Sequence, residues 1–125
     1  MSLNVYLHGE PITEACECSH CGHRHERGAT PTFFDANCTH NLTAMASEAG
    51  IYEHLWRPEE IGIELAGQLI EPLRTAVTLM RSEPARFIKH NPRNGWGSYE
   101  HFVPWVERYL AACEEYPSAR VRVSR

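Results

Sequence analysis

This sequence contains no apolar run long enough to cross a membrane as a helix. It also lacks a basic segment followed by an apolar one near its start, so no secretory signal is expected. A basic surplus is missing, because 16 Asp and Glu residues outnumber 12 Lys and Arg residues. This balance makes nucleic acid a less expected partner. Without repeats or a long linker, the chain is predicted to form one domain over residues 1–125.

The sequence is equally poor in catalytic signatures. It contains no Gly-rich phosphate loop, no His-Glu-x-x-His motif and no recognisable pair of nucleophile and base. We therefore assign no catalytic residue and favour a protein that is not an enzyme. A metal-dependent hydrolase remains as an alternative, because a metal site is indicated by the residues described next.

Residues 16–25 read C-E-C-S-H-C-G-H-R-H and are the densest chemical feature of the chain. Thiolate sulfur and imidazole nitrogen are the ligands that Zn²⁺ prefers, and four of them form a closed structural site. We predict a zinc knuckle over residues 14–28. Its ligands are drawn from a set of three cysteines and two histidines, namely Cys16, Cys18, Cys21, His23 and His25.

An alternative zinc site stays open at this point. It combines Cys18 and Cys21 with Cys38 and His40, two pairs separated by a segment of zinc-finger-like length. The chain has five cysteines, an odd number, and three of them are clustered. This usage indicates metal binding in a reducing cytoplasm and argues against a disulfide framework.

Apolar and polar residues alternate over residues 3–8 and again over residues 119–124, which predicts a strand at each end of the chain. Residues 32–37 are rich in aromatic and β-branched side chains at their start and predict another strand. We expect an α+β fold. In it the terminal strands pair in a small antiparallel sheet, about three helices cover one face, and the zinc knuckle follows the first strand.

Three stretches are predicted to be helical. The first begins at a Thr39 or Asn41 cap, and the second begins at Pro58 and carries an apolar stripe from Ala66 to Met80. Pro72 lies within that stripe and predicts a kink or a break near Glu71. The third helix is capped by Ser98 and is expected to be perturbed early by Pro104.

Polar and aromatic residues concentrate in residues 37–41, 56–57 and 94–99. Amide and imidazole groups can read the edge of a ring, aromatic faces can stack, and an arginine can grip an anion. We predict a cleft for a nucleotide-like or other anionic aromatic ligand. The candidate residues are Asn37, Thr39, His40, Asn41, Trp56, Arg57, Asn94, Trp96 and Tyr99.

Each of these residues also has a structural interpretation. Asn41 and Ser98 can be helix caps, and Trp96 can belong to the core, as large aromatic residues usually do. If the cleft does not form, the second hypothesis is an interaction adaptor. Its knuckle or its arginine-rich final strand would contact a protein or, less expectedly, a nucleic acid.

Several motifs of the chain are familiar as a set. They lie at residues 37–46, 49–52, 55–60, 69–73 and 91–99, and include Leu-Trp-Arg-Pro-Glu-Glu and Asn-Gly-Trp-Gly-x-Tyr. From about residue 35 onward the chain resembles a group of small proteins of bacteriophages, prophages and bacteria that has no established activity. The cysteine-rich segment is not matched throughout that group. The resemblance implies an intracellular setting and a role in conflict between virus and host.

Overall fold

A three-stranded antiparallel sheet organises the fold, and the computed structural model describes residues 2–9, 31–93 and 97–125. The strands are β1 (Ser2–His8), β2 (Thr32–Thr39) and β3 (Arg120–Ser124), in the spatial order β2-β1-β3. The predicted pairing of the two terminal strands is therefore confirmed, with Val5 opposite Val123. β2 continues beyond its predicted end at residue 37 and stops at Thr39.

The helices form a layer against one face of this sheet. Their bounds are α1 (Thr43–Glu48), α2 (Tyr52–Trp56), α3 (Ile70–Ser82), α4 (Pro84–Ile88) and α5 (Tyr99–Glu115). Short 3₁₀ turns lie at His40–Leu42, Pro58–Ile61 and Ala66–Leu69. The chain thus has the predicted α+β architecture, with five α-helices in the described ranges where about three were expected. In the ranges given above, no helix is both long enough and apolar enough to cross a membrane.

The core lies between the sheet and the helices. Leu3, Val5 and Leu7 point into it from β1 and are 0% exposed, whereas the alternating residues of β1 are half-buried on the other face. This is the predicted period-two pattern of a strand with one buried face. From the helix layer, Tyr109 of α5 stacks on Phe34 of β2, with ring centroids 5.7 Å apart.

The second predicted helix is wrong in its first part. The turn Pro58–Ile61 ends at Gly62, whose φ of 77° is a left-handed conformation that glycine adopts easily. Residues 63–65 then run alongside β3, where the Val121 N–H donates to the Glu64 carbonyl at 2.9 Å. The continuous helix begins only at Ile70, because residues 64–65 are recruited into sheet pairing.

Two prolines lie within the predicted helices. Pro72 lies in the first turn of α3, where its missing N–H needs no partner, and the change from the 3₁₀ turn to α3 at Ile70 is close to the break predicted near Glu71. Pro104 lies inside α5, where it removes one backbone donor while the helix continues from Tyr99 to Glu115. Ser98 is the N-cap residue of α5 as predicted, but its hydroxyl contacts the His101 ring, and Asn91 accepts the Tyr99 N–H instead.

Two tyrosines of the helix layer provide a test of this packing. Tyr109 is fully buried, and its hydroxyl has no hydrogen-bond partner in the described part of the chain. Tyr109→Phe should therefore leave the free energy of unfolding unchanged or raise it by about 1 kcal/mol, since it removes an unsatisfied buried group. Urea unfolding measures the difference.

Tyr99→Phe is the matched control for that substitution. The Tyr99 hydroxyl donates to the Met80 carbonyl at 2.8 Å and links α5 to α3. Its removal should lower the free energy of unfolding by about 1 kcal/mol and leave the carbonyl unpaired. Equal losses in the two variants would contradict the assignment of Tyr109 as unsatisfied.

Candidate functional site

Three side chains from two of the predicted stretches, together with Tyr52, form a connected cluster, which we call the aromatic cluster: His40, Tyr52, Trp56 and Arg57. The His40 ring meets Trp56 edge to face, with centroids 6.2 Å apart. Tyr52 stacks on Trp56 at 5.7 Å, and its hydroxyl accepts a hydrogen bond from Arg57 Nε at 3.3 Å. Such ring geometries are favourable for aromatic pairs.

The backbone explains why these residues meet. β2 ends at Thr39, whose hydroxyl accepts the Asn41 N–H at 3.3 Å, as predicted for a capping residue. The chain then turns into His40–Leu42, so that His40 leaves the sheet toward α2. Tyr52 and Trp56 are four residues apart on α2, and this spacing brings them to the same side of the helix.

A third predicted stretch reaches the same region at Gly97. A Cβ atom at this position would lie 2.7 Å from Thr39 Cγ2, which is closer than such contacts allow, and 3.1 Å from Leu42 Cδ1, which is a tight contact. The φ of 84° is also a conformation that suits glycine. Asn94 and Trp96 lie outside the described residues, but Gly97 itself packs against the end of β2.

Buried ring nitrogens are the unusual feature of the aromatic cluster. Trp56 is 2% exposed, and its Nε1 has no hydrogen-bond partner among the described residues. The same holds for Nε2 of His40. A buried polar group without a partner is uncommon and costs about 1–3 kcal/mol, so two such groups on touching rings call for an explanation.

Arg57 forms the solvent-facing end of the aromatic cluster. Its Nη1 pairs with Glu60 at 2.8 Å, and hydrogen bonds to Tyr52 and then to Glu60 raise the pKa of the guanidinium above its usual value. The remaining nitrogen, Nη2, makes no hydrogen bond within the described ranges. Nearby, Arg125 donates to the Trp56 carbonyl and to Glu59, both at 2.6 Å, and ties the end of α2 to the chain after β3.

Two of the predicted ligand residues lie away from the aromatic cluster. Asn37 is on the outer face of the sheet, where its amide donates to Ser2 Oγ and Asn4 Oδ1, each at 2.9 Å. Tyr99 is held by its bond to Met80, as described above. Asn41 is exposed and follows His40 directly in the chain, and its backbone N–H donates to the Thr39 hydroxyl.

Sequence reasoning missed Tyr52 and His54. Both line an open groove of about 580 Å³ between α2 and the start of α3. Burial lowers the pKa of His54 below its ordinary 6.5, and the neighbouring Glu53 acts in the opposite direction. Tyr52 could have been predicted from the sequence, because its i, i+4 spacing from Trp56 brings the two side chains to the same side of a helix.

The predicted zinc ligands Cys16, Cys18, Cys21, His23 and His25 lie outside the described residues. Where the structure does describe the chain, no group of three or more His, Cys, Asp or Glu side chains is arranged to hold a metal ion. Cys38 and Cys113 are buried free thiols, and burial raises the pKa of each to about 12.

No protein-family model, no curated protein and no solved structure matches this chain. The resemblance to proteins of phages and prophages is therefore still a prediction. What the chain binds has to be argued from its own residues.

Proposed function

We propose that this chain is a small non-enzymatic binding protein that holds a nucleotide-like anionic ligand at the aromatic cluster and carries one structural zinc ion. The main support for the ligand is the pair of buried nitrogens on His40 and Trp56, neither of which has a hydrogen-bond partner among the described residues. An indole N–H is a donor, and a histidine nitrogen can be one. Phosphate or carboxylate oxygens would satisfy both.

Arg57 adds a second element of anion recognition. Its Nη2 makes no hydrogen bond to the residues that the structure describes. The guanidinium is already held in place by Tyr52 and Glu60, so little side-chain freedom is left to lose on binding. A charge-assisted bond from an arginine to a phosphate is among the stronger hydrogen bonds. Because the ring nitrogens are shielded from solvent, binding involves a local rearrangement around His40 and Trp56.

The proposed biological role follows from the resemblance to proteins of phages and prophages. A small protein that binds an anionic nucleotide without turning it over can lower the free concentration of a host signal. We propose sequestration of this kind, in an intracellular setting.

A thermal-shift screen tests the ligand proposal. A panel of adenine and guanine nucleotides is added to the purified protein, and at least one should raise Tm. At a concentration of about 100 times its Kd, such a ligand raises the free energy of unfolding by about 2.7 kcal/mol. Arg57→Ala and Trp96→Ala should keep the fold and lose the ligand-induced rise. Arg74→Ala is the matched control, because Arg74 pairs with Glu71 and Glu114 on the α3–α5 surface.

Two results would remove the basis of that proposal. One is that no nucleotide of the panel raises Tm in the wild-type protein. The other is that the Arg57→Ala variant shows the same ligand-induced rise in Tm as the wild-type protein and the Arg74→Ala control.

The zinc part of the proposal is supported by the base of the β1–β2 hairpin. The Gly9 N–H donates to the Pro31 carbonyl at 2.8 Å, so the two residues that flank residues 10–30 are held side by side. Closing a loop costs less entropy when its ends are already held together. A closed site of sulfur and nitrogen ligands within this loop would be structural.

The position of Cys38 favours the compact ligand set over the split one. Cys38 pairs with Leu3 and points into the core, 4% exposed, whereas Pro31 precedes the other end of β2. Thr32 and Cys38 are six positions apart, which is about 20 Å of strand. Moving the Cys38 thiol out of the core to bind a metal would also break the inner face of β2.

Elemental analysis should find about one zinc per chain. Cys18→Ser should lose the metal and much of the stability, because metal binding is coupled to folding. Cys38→Ala should retain zinc, which separates the compact set from the split one.

After chelation, a thiol reagent should react quickly with three cysteines, while Cys38 and Cys113 stay protected by burial. Metal-free native protein with all five thiols reactive would contradict the proposal.

A further inference from the structure

Arg57 is paired less completely than a comparable arginine on the α3–α5 surface. Arg74 contacts carboxylates through two nitrogens, with Nη1 at 2.8 Å from Glu71 and Nη2 at 2.6 Å from Glu114. Arg57 contacts one carboxylate, that of Glu60, through Nη1 at 2.8 Å. Its Nη2 has no partner among the residues that the structure describes. Because the guanidinium is planar and its donors point in fixed directions, Nη2 offers a defined position for one further anion.

Glu60 lies close to that position. Nη1 and Nη2 are bonded to the same carbon of the Arg57 guanidinium, so an anion on Nη2 would be a near neighbour of the carboxylate on Nη1. Two negative charges this close repel each other, and solvent weakens the repulsion without removing it. The side chains of Arg57 and Glu60 are 41% and 53% exposed, so both water and a ligand can reach the pair. Glu60 therefore lowers the affinity of Arg57 for any anion.

The neighbouring carboxylate, Glu59, is engaged elsewhere. It accepts a hydrogen bond from Arg125 Nη1 at 2.6 Å, and the same nitrogen donates to the Trp56 carbonyl. Partial burial acts to raise the pKa of Glu59, but the bond from Arg125 and the charges of Arg125 and Arg57 outweigh it, and the pKa lies below its ordinary value. Because Glu59 already has a cation of its own, Glu60 is the carboxylate of the described chain that an anion on Arg57 meets.

The aromatic cluster offers contacts that offset this repulsion. Tyr52, which accepts a bond from Arg57 Nε at 3.3 Å, stacks on Trp56 with ring centroids 5.7 Å apart. A ligand with a ring for the aromatic cluster and an anionic group for Arg57 gains stacking energy in addition to the charge-assisted hydrogen bond. A free anion gains only the bond. Specificity often depends on a repulsive element of this kind, because it rejects partners that make only part of the contacts.

We infer that Glu60 is a specificity-determining residue of the proposed ligand site. Its charge keeps free phosphate and other small anions from occupying Arg57, so that an anion binds only when the same ligand also bears an aromatic ring. The inference rests on the proposed function, since it concerns the same site, and it adds the class of ligand that the site rejects. Glu60 also keeps the Arg57 guanidinium oriented through its bond to Nη1.

A titration with inorganic phosphate, followed through the amide and arginine Nε–H signals of ¹⁵N-labelled full-length protein, tests the inference. Glu60→Gln removes the negative charge and keeps a side-chain oxygen that can accept from Arg57 Nη1. Phosphate should bind this variant about tenfold more tightly than the wild-type protein, because a close like charge is gone. ATP and GTP should gain by a similar factor, whereas adenosine and guanosine, which carry no charge, should gain nothing.

Two further variants locate the effect. Glu71→Gln removes a carboxylate from the Glu71–Arg74 pair, which has the same i, i+3 spacing and the same 2.8 Å contact, and it should leave phosphate affinity at the wild-type level. Glu60→Gln combined with Arg57→Ala should lose the added phosphate binding, which would place the anion on Arg57. Glu60 and Glu71 are both exposed, so their substitution should leave the fold intact.

Equal phosphate affinity in the wild-type protein and Glu60→Gln, with a nucleotide still bound by the wild type, would overturn the inference and leave the proposed function standing. An equal gain in Glu71→Gln would also overturn it, since the effect would then follow from net charge alone. No nucleotide binding by either protein would overturn the proposed function and, with it, the admission of a ring-bearing anion by Glu60.

Discussion

The inner face of β1 is the constraint on which the rest of this structure depends. Leu3, Val5 and Leu7 are completely buried, and each contributes about 1.5–3 kcal/mol by leaving water. Because β1 lies between β2 and β3, these residues also fix the register of both neighbours. Pairing with β2 fixes where that strand ends and hence where His40 turns toward Trp56. Pairing with β3 positions Val121 to hold Glu64, and Arg125 to hold the end of α2.

The parts of the fold that follow from local pattern were predictable from the sequence. Alternation identified β1 and β3, and Thr39 was recognised as a capping residue because its hydroxyl can satisfy a free N–H. The segment after Pro58 was mispredicted, since Pro-Glu-Glu is a genuine start signal but only one turn forms. The turn ends at Gly62, and residues 64–65 then pair with a strand far along the chain, a pairing that no local pattern reveals.

The candidate site was only partly predictable for a related reason. Residues adjacent in sequence point to different faces of a strand, so Asn37 lies on the outer surface while Cys38 faces the core. Contact between His40 and Trp56 depends on how α2 packs, and contact between Gly97 and Thr39 depends on where the chain before α5 meets the end of β2. Tyr99 was predicted to bind a ligand but has a structural role, since its hydroxyl donates to the Met80 carbonyl and joins α5 to α3.

The buried nitrogen of Trp56 offers the most direct test of the ligand site. The chain has three tryptophans, and Trp105 is a natural reference because its Nε1 is also buried without a partner in the described part of the chain. Indole N–H signals in a ¹H–¹⁵N spectrum report each ring separately during titration with the nucleotide panel. We expect the Trp56 proton to shift downfield as it bonds to a ligand oxygen, while the Trp105 proton stays in place. A stationary Trp56 signal throughout the titration would contradict a ligand site at the aromatic cluster.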